Sequence, residues 1–425
     1  MASSRKEKMI HTLASVLATF LIATSARAGY TLTDDLGGSN FFNHVSFYTD
    51  RDPTAGTVQF MSPELAVQMS PPLIGYAKSS SNNQSVYLAA DSSLVSSQGR
   101  HSVRVASNKA WDHGLVILDA AHMPSSTCGV WPAFWLLGSN GVPGSWPTQG
   151  GEIDIIEGVN RQTSNILSAH TGPGCVLDNN TSLFTGTMTT SNCDVNAKGQ
   201  SQNVGCSITA PEASLGNSSS YGTGFNAQGG GVYAARFEAD GIQVHFFPRN
   251  AIPADIVNNT PDPSSWPKPL AAFGGPGCNF RRTFWNMSII LDTTFCGDWS
   301  GKVWNVGGSQ SCAAITGAAT CAEYVVNNPK AFTQAYWLIN GLKVFQDTTT
   351  NSTGTQKRSA PLTTGRWLNA TERIVSQPGK PLPPVTYASE ATTLKPFYEM
   401  ENSTVAKWPM WATMAGIVGV AAAMA

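Results

Sequence analysis

Charge is scarce in this chain of 425 residues. Asp, Glu, Lys and Arg make up 12% of it, about half the usual share. Neither sign dominates: 26 basic residues face 27 acidic ones, for a net charge of −1. That balance, without any basic stripe, excludes nucleic acid as a partner and points to a neutral substrate. Helical periodicity is also missing from the central part of the chain, so a helical core is not expected there. The eight cysteines include no tight Cys-x-x-Cys pair with nearby histidines, which argues against a zinc site; no other metal or cofactor is called for.

Glycine and proline, in contrast, are plentiful, with 40 and 25 copies. Apolar runs such as Gly231–Glu238 and Ile242–Phe247 alternate with turn residues. This is the pattern of many short antiparallel strands. Residues 175–230, rich in Gly, Ser, Thr and Asn, read as a long loop stapled by cysteines rather than as sheet.

Residues 29–347 are expected to form one β domain. Before it, residues 1–28 read as a secretory signal: a basic start at Arg5, Lys6 and Lys8, an apolar stretch from Met9 to about Thr24, and Ala26-Arg27-Ala28 as the cleavage pattern. All eight cysteines follow that cut, and an even count in an exported chain implies disulfides. The spacing does not select a pairing, although Cys312–Cys321 would close a small Ala/Gly-rich loop. Asn-x-Ser/Thr acceptors at Asn83, Asn179, Asn180, Asn217, Asn258, Asn351, Asn369 and Asn402 fit a glycosylated exterior.

After the domain, residues 348–407 read as a Ser/Thr/Pro-rich stalk, and 408–425 as an apolar, uncharged tail. A hydrophobic tail behind a polar spacer is the pattern of a GPI signal, with residues near 403–425 removed; a plain transmembrane anchor is the alternative. The expected location is therefore extracellular, tethered to the membrane by lipid or held in a wall.

Residues 150–160 carry the chemistry. Glu152, Asp154 and Glu157 interrupt a β-branched apolar run, Gly-Gly-Glu-Ile-Asp-Ile-Ile-Glu. Charged side chains are seldom buried unless paired or used, and close carboxylates raise one another's pKa. Strand alternation puts Glu152 and Asp154 on one face and Glu157 on the other. A β-bulge, most simply at Ile155–Ile156, returns Glu157 to the first face. Four effective steps then separate the glutamate Cα atoms by roughly 13 Å. A concave sheet would tilt their carboxyls to the roughly 5–5.5 Å of a retaining glycosidase, in which one carboxylate attacks and one carboxylic acid protonates the leaving oxygen.

Glu-Ile-Asp-Ile-Ile-Glu resembles the signature of glycoside hydrolase family 16, in the bulged form of laminarinases. Cys128–Gly138, Ser168–Cys175, Phe284–Gly301 and Ala335–Phe345 are similar to strands that flank that signature, so the resemblance spans about residues 30–347. It implies an all-β jelly-roll sandwich of concanavalin A-like type with a concave cleft, and fungal endo-1,3(4)-β-glucanase activity on β-glucan polysaccharide by a monomer. It also implies roles: Glu152 as nucleophile, Glu157 as acid/base, and Asp154 between them, hydrogen-bonded to Glu152. His170 aligns with a histidine near the cleaved sugar, though a core histidine bonded to backbone is an equal reading. Trp135, Trp146 and Trp299 match substrate platforms, while Trp111, Trp131 and Trp337 read as core. A cell-wall transglycosylase would use the same glutamates with a sugar hydroxyl as acceptor; a lectin would need neither.

Overall fold

A computed structural model describes residues 29–78, 84–138, 146–178 and 180–347, with the backbone of Trp367–Asn369. The signal, most of the stalk and the tail, with the acceptors Asn83, Asn179, Asn351 and Asn402, lie outside the described residues. Among the described residues no helix is long and apolar enough to cross a membrane.

Two large antiparallel sheets face each other, as the strand pattern predicts. One has eight strands. Its path runs Ala271–Phe273, Gly241–Pro248, Gly231–Glu238, Gly114–His122, Tyr336–Asp347, Gln84–Ala89, Ile74–Lys78, and Tyr30–Asp35 also pairs with Tyr336–Asp347. The other has nine. Its order is Thr187–Thr190, Cys206–Thr209, Ile166–His170, Glu152–Glu157, Val130–Gly138, Met287–Phe295, Arg104–Trp111, Val45–Tyr48, Trp367–Asn369. The core between them is built by alternation. Phe134, Leu136, Ile153 and Leu291 from the nine-stranded sheet meet Leu118, Tyr233, Val244 and Phe246 from the other. The intervening positions of each strand therefore point outward.

Three expectations need correction. Residues 175–230 are stapled, by Cys175–Cys278 and Cys193–Cys206, but they are not all loop. Thr187–Thr190 and Cys206–Thr209 extend the nine-stranded sheet at its edge. An edge strand with Thr at alternate exposed positions has too little apolar alternation to be legible. Cys312 and Cys321 do not pair with each other. They join Cys128 and Cys296, at the near ends of two neighbouring strands. Each opens its own short helix, Cys312–Thr316 and Cys321–Asn327, so proximity in sequence does not bring their side chains together. Finally, Trp367–Asn369, inside the expected stalk, pairs with Val45–Tyr48, so the sheet draws on residues beyond 347.

The two disulfides pin a flap, residues 297–327, against the near ends of the strands Val130–Gly138 and Met287–Phe295. Local sequence shapes it. Thr320 caps the second helix by accepting from the Glu323 amide, and Glu323 reaches back to the Ala319 amide. Gly317, at φ +71°, ends the first helix in the left-handed conformation that favours glycine.

Candidate active site

The strand Glu152–Glu157 holds the site because it is irregular at one point. Against Val130–Gly138 it pairs Glu152 with Leu137 and Asp154 with Trp135, then shifts by one residue, so that Glu157 faces Ala133. Six residues stand opposite five. Ile153, Ile155 and Ile156 all turn into the core, and Glu152, Asp154 and Glu157 share the outer face. The expected bulge is present, with Ile155 as the extra residue.

A bulge leaves backbone groups without ladder partners. On its other side the strand pairs with Ile166–His170 only through Glu152, Ile153 and Asp154. Asn165, completely buried, fills the gap. Its amide donates to the Ile155 carbonyl at 2.7 Å, and its oxygen accepts from the Glu157 amide at 2.8 Å. One side chain thus satisfies both orphaned groups and fixes the backbone that aims Glu157.

Each acid has its own surroundings. Glu152 accepts from the Trp146 indole at 2.7 Å. Burial, and next the charge of Asp154, raise its pKa to about 7, against the pull of His170, the Trp146 bond and Arg104. Asp154 is buried, with Oδ2 3.2 Å from His170 Nε2. Burial and the nearby Asp292 raise it to about 8. The expected bond from Asp154 to Glu152 is replaced by this contact with His170, because His170 stands directly across the ladder from Glu152. Glu157 accepts from the Trp131 indole at 2.9 Å. Burial and then Asp154 hold its pKa well above the usual carboxylate range. Close, buried acids of one sign cannot all ionise together, so protons are retained within the group.

The aromatics divide differently from the sequence expectation. Trp146 is the open one, 40% exposed. Trp299 sits in a tight turn at Gly297–Gly301 and meets Trp131 edge-on at 5.6 Å. Trp131 is a correction: it is half-buried and bonded to Glu157, not core. Trp111 and Trp337 are core, as expected. Trp135 lies on the acid face but is covered by Arg104, which is 4.9 Å above its ring and 5.0 Å from that of Tyr48. Arg104 also pairs with Asp292 at 3.6 Å. Asp292 is the one charge in the strand Met287–Phe295, a signal like that of the acids on Glu152–Glu157, whereas Arg104 opens a mixed strand that also carries Lys109.

Asn160 locks the flap to the site. Its side chain accepts from the Gly129 amide and the Ser300 hydroxyl, and donates to the Ser300 carbonyl. Trp299, next to Ser300, is thereby fixed beside Trp131 and Glu157.

Glu152, Asp154 and His170 bring their polar atoms within 4.8 Å of one another, close enough to hold a cation. The acid pair itself supplies both an ionisable nucleophile and a proton donor, so its chemistry calls for no metal.

Raised carboxyl pKa values have a cost in stability, with a definite sign. Protonation favours the folded state, so that contribution is fully present below the unfolded value of about 4.3. It is lost as pH rises through about 7 for Glu152 and about 8 for Asp154. The melting temperature should fall between pH 5 and 8, and Glu157→Gln should flatten that slope and melt higher than wild type at pH 8. Calorimetry of both proteins across the range checks this; parallel curves would mean that Glu157 ionises freely.

Residues 45–345 match XgeA-like catalytic GH16 domains. An endo-1,3(4)-beta-glucanase of Arthroderma benhamiae is 41% identical over 329 residues, covering 77% of this chain and 67% of that protein. The endo-1,3(4)-beta-glucanase xgeA of Emericella nidulans is 37% identical, covering 84% of this chain; the chain spans about half of that longer relative, 54%. Among solved structures, GH16 Laminarinase 16A from Phanerochaete chrysosporium, with 6-O-glucosyl-laminaritriose in donor and acceptor sites, superposes with a TM-score of 0.64 at 37% identity. An elongating GH family 16 beta-1,3-glucosyltransferase does so with the same score at 40% identity. Both cover 75% of this chain and all of their own. With a β-sandwich whose bulged strand carries this acid pair, and with matches of this extent, the chain belongs to glycoside hydrolase family 16 and is a glycoside hydrolase.

Proposed function

We propose that the domain cleaves internal bonds of β-1,3-glucans, including mixed β-1,3/1,4 chains, with retention of configuration. The observation that carries this reading is the one-residue bulge at Ile155, which returns Glu157 to the face of Glu152. Glu152 attacks the anomeric carbon while Glu157 protonates the departing oxygen, giving a glycosyl-enzyme. Ester formation removes the charge of Glu152, which lowers the pKa of Glu157; Glu157 then takes a proton from the incoming water. Asp154, beside His170, holds the centre of the face, and Trp146 and Trp299 offer flat surfaces to the apolar faces of the sugar rings. The names of the endo-1,3(4)-beta-glucanase relatives support the substrate class. Incubation with laminarin, lichenan and chitin, followed by analysis of product size and linkage, tests it; the first two should be cut internally and chitin left intact.

Retention is expected because the bulge brings both carboxyls to one face of the strand. Proton NMR of the first product should show the β anomer, and initial α anomer would require a wider gap that admits water directly.

Transfer to a sugar hydroxyl is the second reading, favoured by the likeness to the elongating glucosyltransferase. Products longer than the starting oligosaccharide at high substrate concentration would reveal it. Export and a lipid tether, with residues near 403–425 removed, belong to the same proposal. Pairing of all eight cysteines fits an oxidising compartment, and a phosphatidylinositol-specific phospholipase should release active enzyme from membranes.

A further inference from the structure

A cavity of about 280 Å³ lies where the strand Gly241–Pro248, the crossover at Pro267–Leu270 and the loop at Pro211–Leu215 meet, lined by outward-facing His245 and Phe247 and by core-side Phe246. Along that strand Ile242, Val244 and Phe246 enter the core, so His245 and Phe247 stand on the outer face of the eight-stranded sheet. The acids occupy the outer face of the other sheet, and the two sites cannot share one sugar ring.

Two polar atoms in this cavity lack partners among the described residues. His245 is 4% exposed, and its Nε2 is buried and unbonded. The Ser214 hydroxyl is also buried and unbonded. Unpaired buried polar atoms are costly unless something meets them. The imidazole is rigidly placed, stacked on Phe247 at 6.0 Å and edge-on to Trp266 at 5.1 Å. Burial lowers the pKa of the ring to about 4, against the influence of the Pro267 carbonyl, and so keeps it neutral. Nε2 is therefore an unbonded nitrogen of a neutral imidazole.

These features select the ligand. A neutral ring nitrogen donates or accepts according to its tautomer, and a hydroxyl answers either role because it does both. The Lys268 ammonium at the rim disfavours a cation. Leu215, Pro267 and Phe247 supply apolar surface. A neutral ring with hydroxyls on its edge and C–H groups on its faces meets all three demands.

We propose that this cavity is a second carbohydrate site, which takes one terminal pyranose ring of a β-glucan chain and holds the enzyme on polymeric substrate away from the cleft. The choice of β-glucan rests on the function proposed above; the demand for a neutral polyhydroxylated ring does not.

Three variants test it: Ala213→Trp, which plugs the mouth from an exposed loop position; Ser214→Ala; and His245→Phe, which keeps the ring stack but removes Nε2. Retention on insoluble linear β-1,3-glucan is measured on ice, and kcat/KM is measured on a short soluble laminarioligosaccharide. Losing one or two hydrogen bonds should weaken retention roughly 5- to 30-fold, with kcat/KM on the oligosaccharide unchanged. Retention equal to wild type in all three, with melting temperatures confirming folding, overturns the proposal. Weakened retention by an enzyme that hydrolyses none of these glucans would sink the cleavage reading while the site stands. Normal hydrolysis with pocket-independent retention would sink the site alone.

Discussion

Glu152→Ala should abolish turnover of laminarin, and added azide should restore it with the wrong anomer. The acid that attacks the sugar contributes a whole covalent step, and loss of a nucleophile of this kind costs up to about 10⁶-fold in kcat. The space vacated by Ala lies on the face from which Glu152 attacked. A small anion entering there forms its bond from that side, with Glu157 still protonating the leaving oxygen, so the product is the α-glycosyl azide. Glu157→Ala should behave differently. Its loss removes general acid–base catalysis, about 10²–10⁴-fold. Glu152 can still form the glycosyl-enzyme when the leaving group is good, and azide then attacks the intermediate from the opposite side to give the β-glycosyl azide. Chromatography and NMR of the two azides read the assignment directly. If both variants give the same azide anomer, or if either turns over laminarin like wild type, the roles given to these residues are wrong.

Asn165→Leu should damage both stability and catalysis without touching substrate. It leaves the Ile155 carbonyl and the Glu157 amide buried and unpaired. At about 1–3 kcal/mol for each, the expected loss is ~2–6 kcal/mol. The same change frees the backbone that carries Glu157, so kcat should fall more than KM rises. Asn165→Asp keeps an acceptor for the Glu157 amide but loses the donor and adds a charge near Glu157. It should retain more of the fold than Leu and shift the basic limb of the pH–rate profile upward, because a second carboxylate disfavours ionised Glu157. Chemical denaturation and the pH dependence of kcat/KM check both halves. A stable Asn165→Leu with unaltered kinetics would show that the bulge holds itself.

The parity argument that located the bulge needed only the alternation of Glu, Ile and Asp along one strand, so this part of the site was legible. The residues that maintain it were not. Asn165 lies eight positions past Glu157, in a Thr-Ser-Asn stretch that reads as an ordinary turn, and its work depends on a gap that exists only once two strands pair. Trp131 reads as core because that is the default for a single tryptophan, whereas its indole reaches Glu157, which stands opposite Ala133, two residues along the same strand. The disulfides eluded the sequence for a similar reason. Cys128 and Cys296 end strands far apart in the chain, and only the sheet order makes them neighbours. Asp292, the one charge in an apolar strand, carries the same signal as the acids, but its partner Arg104 lies in a mixed strand with Lys109 and becomes its neighbour only through sheet order.

The bulge also gives the catalytic strand something like a reading frame. Glu152 and Glu157 differ by an odd number yet lie in register, because Ile155 inserts a shift of one that the pairing absorbs. Deletion of Ile155 would leave Glu, Ile, Asp, Ile, Glu in plain alternation, with the acids still opposite Leu137, Trp135 and Ala133, at the cost of one buried isoleucine and of the bond from Asn165 to the Ile155 carbonyl. Deletion of Ile153 would turn Asp154 into the apolar core, where an unpaired carboxylate is not tolerated. Two single-residue deletions, two positions apart, would thus differ as a synonymous change differs from a nonsense one.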